Sequence, residues 1–362
     1  MDKVLTRKFI LSNSPSTRYR GSKRRILPWI YENTKDLNFD TVFDAFSGTA
    51  SVSSLFKLMG KEVTSNDIMQ SNHQTAIAII ENNRNILNKD DISFLLTKHD
   101  YNYPSFIQDN FKDIYYLDEE NKFLDQIITN IQLLSEYYSG DALKKKKAIA
   151  YHSLFQACIS KRPYNLFHRK NLYMRTADVE RSFKNKATWD RSFPDLFTQF
   201  ANETSSKIFS NKRKNRALCE NILEYRENEY DLVYLDPPYI QQKKGGLVNY
   251  YDLYHFLEGI MDYHNWNNRI NNSMLHKSLI INEPHWTKYS VESDLEKIFK
   301  KFEDSIIVMS YGEPGFPSID RIQELLLSYK STIKIVKRDY TYSLNHTKKN
   351  GNHLNETLLI GE

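Results

Sequence analysis

Cysteine is nearly missing from this 362-residue chain: there are two, Cys158 and Cys219, far apart in sequence. They form neither a disulfide framework nor a metal spacing, and their scarcity fits a reducing, cytoplasmic compartment. The ten histidines are scattered, with no His/Cys cluster at metal-ligand intervals, so no metal is expected. No uninterrupted apolar stretch approaches the ~18 residues of a membrane span, which argues against a membrane partner. Met1 to Ile10 lacks the apolar core and cleavage site of a secretory signal. Hydrophobic residues make up 40% and mean hydropathy is −0.62, as in a soluble, fairly polar protein. There is no internal repeat, and no low-complexity tract beyond Lys144–Lys147.

Aromatic residues are plentiful, with 24 tyrosines and 20 phenylalanines. Most fit core or loop packing; some suit base stacking. Net charge is +5 but unevenly spread. From Lys161 to Arg216 there are 14 Lys and Arg against 5 Asp and Glu, leaving 36 against 40 elsewhere. A basic block within a mildly acidic body is the electrostatic footprint of a polyanion site.

The pattern begins as strand, glycine turn, helix, strand. Thr41–Phe46 reads as a strand, Ser51–Met59 as a helix with Val52, Leu55, Phe56 and Met59 on one face, and Glu62–Ser65 as the next strand. A second helix is expected over about Gln70–Asn83. The rhythm is lost from Asp91 to Thr204. It returns with strands at Arg216–Cys219, Leu232–Leu235, Ser278–Ile281, Ser305–Met309, Ile333–Val336 and Thr357–Ile360, and a helix over Ile319–Tyr329. The expected architecture is α/β, one doubly wound Rossmann-like sheet over 1–84 and 205–362, interrupted by a mostly helical insertion over 85–204.

Asp236-Pro237-Pro238-Tyr239 closes the apolar run Leu232–Leu235. An acid, two rigid prolines and an aromatic at a strand end suit an amino group on a flat heterocycle. The carboxylate accepts one N–H, a carbonyl near the prolines accepts the other, and the ring stacks on the base. Such acceptors would draw a delocalised exocyclic amine toward sp³ geometry for N-methylation. Ligands of such sheets lie beyond the carboxyl ends of strands. There, Phe46 and Gly48 offer a turn open to a ligand, Asp67 an acid for ribose hydroxyls, and Asn221 and Ile222 contacts to adenine. This turn has one glycine where a dinucleotide fingerprint needs three, so S-adenosylmethionine (AdoMet), which has no phosphate, fits better than NAD. Upstream, Tyr19 and Lys23 precede a helix beginning near Leu27 and would pack on the cofactor and meet its carboxylate.

With these residues in this order, the chain resembles the DNA adenine methylase (Dam) family. The markers are Tyr19-x-Gly21-x-Lys23, Phe46-x-Gly48, Asp67 with Ile68 beside it, and Asp236-Pro237-Pro238-Tyr239, the so-called alpha order. Residues 162–171 resemble the family's recognition hairpin, with Leu166 where the family has glycine; Ala50 likewise stands where many relatives have a second glycine. The resemblance implies AdoMet as cofactor and double-stranded DNA as partner, with an adenine flipped out of the duplex. It implies that Tyr164 wedges into the duplex, Asn165 contacts the opened site and Arg169 reads a guanine, with Arg162 and Asn171 in the same DNA-facing hairpin. Lys184, Lys186 and Arg191 would hold phosphates. His152 and His168 suit packing or phosphate contacts. A prokaryotic or phage-encoded enzyme is implied, nucleoid-associated when bound, with a separately acting restriction endonuclease as an open partner. The rival readings are a cytosine-N4 methyltransferase, an RNA or protein amide methyltransferase, and a non-catalytic DNA-binding module on a relic cofactor fold.

Overall fold

A computed structural model of the chain describes residues 5–178, 185–238, 240, 249–280, 286–313, 315–341 and 353–362. The strands are β1 Thr41–Asp44, β2 Glu62–Asn66, β3 Arg216–Leu218, β4 Leu232–Leu235, β5 Ile306–Glu313, β6 Ile333–Thr341 and β7 His353–Gly361. They form one sheet in the order β3-β2-β1-β4-β5-β7-β6. The first five strands are parallel, and β7 runs antiparallel between β5 and β6. This is the doubly wound α/β frame expected.

Strand composition explains why the frame forms. β4 is buried along its whole length, as a central parallel strand covered on both faces must be. Its side chains alternate between two cores. Leu232 and Tyr234 join Val42, Val63 and Leu55 on one face. Val233 and Leu235 join Phe43, Ile298 and Ile322 on the other, beneath the helices Val291–Lys301 and Ile319–Leu327.

The helices between β2 and β3 do not build a core of their own. Ile128 of Asp118–Leu133, Ile149 and Phe155 of Gly140–Ser160, and Phe197 of Phe193–Ser205 belong to the same cluster as Val42 and Leu232. The Gly140–Ser160 helix is buried throughout from Ala148 to Ser160. Among the described residues, no helix is long and apolar enough to cross a membrane.

Two elements differ from expectation. The helix expected over Gln70–Asn83 is α-helical only to Ala76 and continues as a π turn, Ile77–Glu81. The buried Lys57 ammonium accounts for its end, donating to the carbonyls of Ile79, Ile80 and Asn82 at 2.8–3.0 Å. The strand expected over Ser278–Ile281 is absent over its described residues, which show only an isolated bridge from Leu279 to Ile270. Both edges of β4 are already taken by β1 and β5, so the central sheet offers that short run no partner.

Chain order reverses between β1 and β4, and the carboxyl ends of β1, β2 and β4 converge there. The helix Tyr250–Met261 closes one side, presenting Tyr250 and Tyr251 to that crevice. Its far end is fixed by Gly259, where an added Cβ would lie 1.9 Å from the fully buried Trp266 ring. Gly259→Ala should therefore lower stability by about 2–3 kcal/mol through overpacking, read as a fall in Tm; an unchanged Tm would show that this contact does not hold the helix.

Candidate active site

A cavity of about 310 Å³ opens at this reversal point. Its lining brings together Tyr19, Gly21, Lys23, Phe46, Gly48, Asp67, Ile68, Asn221, Ile222, Asp236, Pro237 and Pro238, which sequence reasoning had singled out from five separate stretches. Tyr239 and Lys184 lie outside the described residues.

Local geometry explains each contribution. Gly21 has φ +85°, and a Cβ there would meet the Tyr250 hydroxyl at 2.9 Å, so glycine lets the N-terminal segment lie against the Tyr250–Met261 helix. Tyr19 stacks on Tyr254 at 4.2 Å between centroids, and the Arg20 amide donates to the Tyr254 hydroxyl at 2.8 Å. Gly48 has φ +50°, and nothing lies within 4 Å of the Cβ it lacks. Ala50 adopts φ 54° without being glycine, a left-handed strain of about 1 kcal/mol.

Asp67 fastens the turn. Its Oδ2 accepts the Gly48 amide at 2.8 Å and its Oδ1 the Met69 amide at 2.9 Å. Burial raises its pKa against these bonds. Each oxygen has two lone pairs, so the carboxylate retains acceptor capacity for hydroxyls. Asn221 differs from a free adenine contact. Its carboxamide accepts the Leu223 amide at 3.1 Å and donates to Glu224 at 3.2 Å, closing its own turn, while Ile222 is buried beside the cavity.

Lys23 also differs from the expected ligand for a cofactor carboxylate. Its Nζ lies 3.1 Å from Asp236 Oδ1 and 2.8 Å from Glu356 Oε1, with all three side chains largely buried. Asp44, at the end of β1, accepts the Ser53 amide at 3.0 Å and the Ser53 hydroxyl at 2.5 Å through Oδ2. Its buried Oδ1 has no hydrogen-bond partner among the described residues. Burial, with added repulsion from Asp236, pushes its pKa up to about 7.

Several lining residues escaped sequence reasoning. Trp286 meets Phe46 edge-on at 5.4 Å, and Tyr250, Tyr251, Met69 and Asn72 complete the walls. In a chain so rich in tyrosine, no local pattern marks these. Glu356 had a signal, a lone acid in an apolar strand, but its partner lies at the opposite end of the chain.

The residues expected to face DNA divide into two groups. Arg162 is 1% exposed, and its guanidinium donates to the carbonyls of Leu166, Tyr115 and Arg169 and to Asn171 Oδ1, over the Tyr115 ring. Arg162 and the buried Asn171 are therefore corrected from DNA contacts to internal struts of the loop, because burial and these bonds consume their polar atoms. The tip is different: Tyr164 is 61% exposed, and it and Asn165 both take left-handed φ values near 60°. That places the reversal before Leu166, which is extended and buried, so the family's glycine is not required there. Arg169 is exposed at the loop's end. Lys186 is exposed but paired with Asp190 at 2.7 Å, and Arg191 donates to Gln199 at 2.5 Å. His152 is a core residue bonded to Thr75, its pKa lowered by burial to about 4; His168 is half-buried.

An acid at the tip of β4, a second at the tip of β2 and an open turn between them thus line one cavity at the reversal point. Residues 19–341 match the model of the D12 class N6 adenine-specific DNA methyltransferases, and the chain belongs to that family. It is 26% identical over 359 residues, 96% of this chain and 97% of the relative, to the Type II methyltransferase M2.HphI of Haemophilus parahaemolyticus. Membership fixes the reaction as methyl transfer from a donor to N6 of adenine in DNA. The cytosine-N4, RNA or protein amide and non-catalytic readings fall away.

Two outcomes follow for the site. The folded Asp44 carboxyl titrates near 7 rather than at 3.8, so its stabilising proton is fully held below about pH 3.8 and lost as pH rises through about 7. Asp44→Asn should accordingly gain Tm relative to the parent from about pH 5 to pH 8; a constant difference across that range would contradict it. Arg162→Met removes the donor to four oxygens, three of them in buried bonds and one of these, the Tyr115 carbonyl, keeping Arg175 at 3.5 Å, and should cost about 3 kcal/mol in chemical denaturation. An undestabilised variant would remove Arg162's strut role.

Proposed function

We propose that AdoMet is the methyl donor and that Asp236 grips the target amine beside it. The observation that carries this reading is that Asp236 and Asp67 line one cavity with the open Gly48 turn between them. The residues present suit that cofactor. The missing Cβ of Gly48 leaves room against the backbone, Asp67 offers acceptors for ribose hydroxyls, and Ile222 offers an apolar face for adenine. Tyr19, Phe46 and Trp286 supply an aromatic wall, and the unpartnered Asp44 Oδ1 adds a buried acceptor. When bound, AdoMet supplies an electrophilic sulfonium methyl.

Asp236 accepts one N–H of the flipped adenine, and its charge opposes the positive charge that builds on N6. The carbonyl beside Pro237, fixed in direction by the ring, accepts the second. Residues 85–204 act as the recognition unit. Tyr164 at the exposed tip wedges into the duplex near the opened site, Asn165 contacts that site, and Arg169 reads a guanine edge. The role is methylation within a restriction-modification system, supported by the Type II name of the relative, with an endonuclease acting separately.

Incubation with tritiated AdoMet and duplex DNA should place label in N6-methyladenine. Asp236→Ala should bind AdoMet and DNA normally yet lose turnover by about 10³-fold. Arg169→Ala should relax sequence preference without changing Tm. Near-normal turnover by Asp236→Ala, or no transfer from AdoMet, would overturn this reading.

A further inference from the structure

Between the helix Tyr250–Met261 and Trp286, residues 270–279 make a loop whose place in the fold is fixed from two sides. On one side, the hydroxyl of the buried Tyr115 bonds to the His276 carbonyl at 2.6 Å and to the Phe167 carbonyl at 2.7 Å. One hydroxyl shared by two backbones sets this loop beside the recognition loop 162–171. On the other side, His276 Nε2 lies 3.4 Å from Oδ1 of Asp252, the neighbour of Tyr251 in the cavity wall. Trp286, downstream, lines the same cavity. Residues 270–279 therefore occupy the ground between that cavity and the exposed tip at Tyr164.

The end of this loop is apolar. Leu275 is 84% exposed and Met274 42%, and Leu275 is the most exposed of the large aliphatic side chains among the described residues. A lone leucine on a surface needs no explanation. This one is held out by a closed backbone. The buried Ile270 and Leu279 bridge at the base, flanked by bonds from the Asn271 amide to the Ser278 carbonyl at 2.8 Å and from the Ile280 amide to the Arg269 carbonyl at 2.7 Å. Within the turn, the Lys277 amide donates to the Met274 carbonyl at 2.9 Å, and Asn271 Oδ1 accepts the Ser273 amide at 3.1 Å. A side chain projected by such a loop loses little backbone freedom on binding. Cations stand nearby: Lys277 follows the tip, and the exposed Arg169 and Lys170 end the adjoining loop. A second copy of the chain would bring the same cations against them. A duplex, with phosphates outside and stacked bases within, complements both the charge and the apolar end.

We propose that Leu275, supported by Met274, is a second apolar wedge in the DNA: it enters the duplex beside the flipped adenine while Tyr164 enters from the recognition loop. This rests on the reading of residues 162–171 as the DNA-facing loop. Two wedges on loops joined through the Tyr115 hydroxyl hold the unstacked step open from two points, which offsets the cost of extruding the base. The proposal assigns a part in DNA recognition to a segment beyond the tetrapeptide and outside the inserted helices.

The test uses the full-length enzyme with AdoMet and a duplex carrying a site that it methylates, with 2-aminopurine in place of the target adenine. That base lacks the reactive amine and brightens when it leaves the stack. Leu275→Ala should weaken binding of this duplex about tenfold and reduce the fluorescence rise at saturating enzyme, with Tm unchanged. An apolar contact releases no counterions, so the slope of log affinity against log salt should stay as in the parent. Affinity and fluorescence both within about twofold of the parent would overturn the proposal. A tenfold loss accompanied by a shallower salt slope would overturn it too, since the loss would then trace to displaced cations. So would a change of oligomeric state in sedimentation with DNA affinity intact, which assigns the tip to a second copy. Tyr164→Ala run in parallel separates the two failures. If it weakens binding and flipping while Leu275→Ala does neither, only the wedge at Leu275 has failed; if neither variant has an effect, the DNA-facing reading of 162–171 has failed with it.

Discussion

A lysine buried between two carboxylates joins three remote parts of this chain into one site. Lys23 belongs to the N-terminal segment, Asp236 to the tip of β4 and Glu356 to the antiparallel strand β7. None of these groups tolerates burial alone, since an isolated charge in the interior costs far more than a mutual pair. The ion trio therefore requires all three elements to be docked together. It makes completion of the sheet at its antiparallel end a condition for organising the acid at its centre. Asp67 plays the matching part at β2, fastening the Gly48 turn with two backbone amides.

Around this centre, the helices of 85–204 share the core of the catalytic sheet, which gives the exposed loop tip a firm base. Phe167 stacks on Phe256 at 5.2 Å, and its amide bonds to the Leu253 carbonyl. The Tyr115 hydroxyl reaches both the Phe167 and His276 carbonyls. The helix carrying Phe256 begins with the tyrosines that wall the cavity. The loop and the cavity wall are thus both packed on residues of Tyr250–Met261, on either side of its non-helical Tyr254.

Much of this arrangement was legible in the sequence, for identifiable reasons. Leu232–Leu235 read as a central strand because parallel sheets bury both faces. Asp67 and Asp236 were recognisable because polar residues at the ends of such strands face the crevice. Ser278–Ile281 had similar composition but no place to pair, which only the assembled sheet reveals. Trp286, Tyr250 and Tyr251 carry no local mark among so many aromatics. Lys23 was found as a site residue, but its partner on β7 was not, because ion pairing across the sheet leaves no spacing signal. Arg162 looked like a DNA contact because it opens the stretch that resembles the recognition hairpin, and such a resemblance says nothing about which side chains turn inward.

That inward turn bears on how ionic strength governs the enzyme. Between Lys161 and Arg216 there are 14 cations, but Lys161 and Arg175 are both paired with Glu120, and Arg162 is enclosed by its own loop. Cations already neutralised within the protein displace no counterions from a phosphate backbone. On the proposed reading, the association of this basic block with DNA would draw on a smaller set of surface residues, with the exposed Arg169 and Lys170 among the candidates, than its composition suggests. On that reading, search along DNA in salt would depend on the reduced set, while the hidden cations shape the surface that presents it.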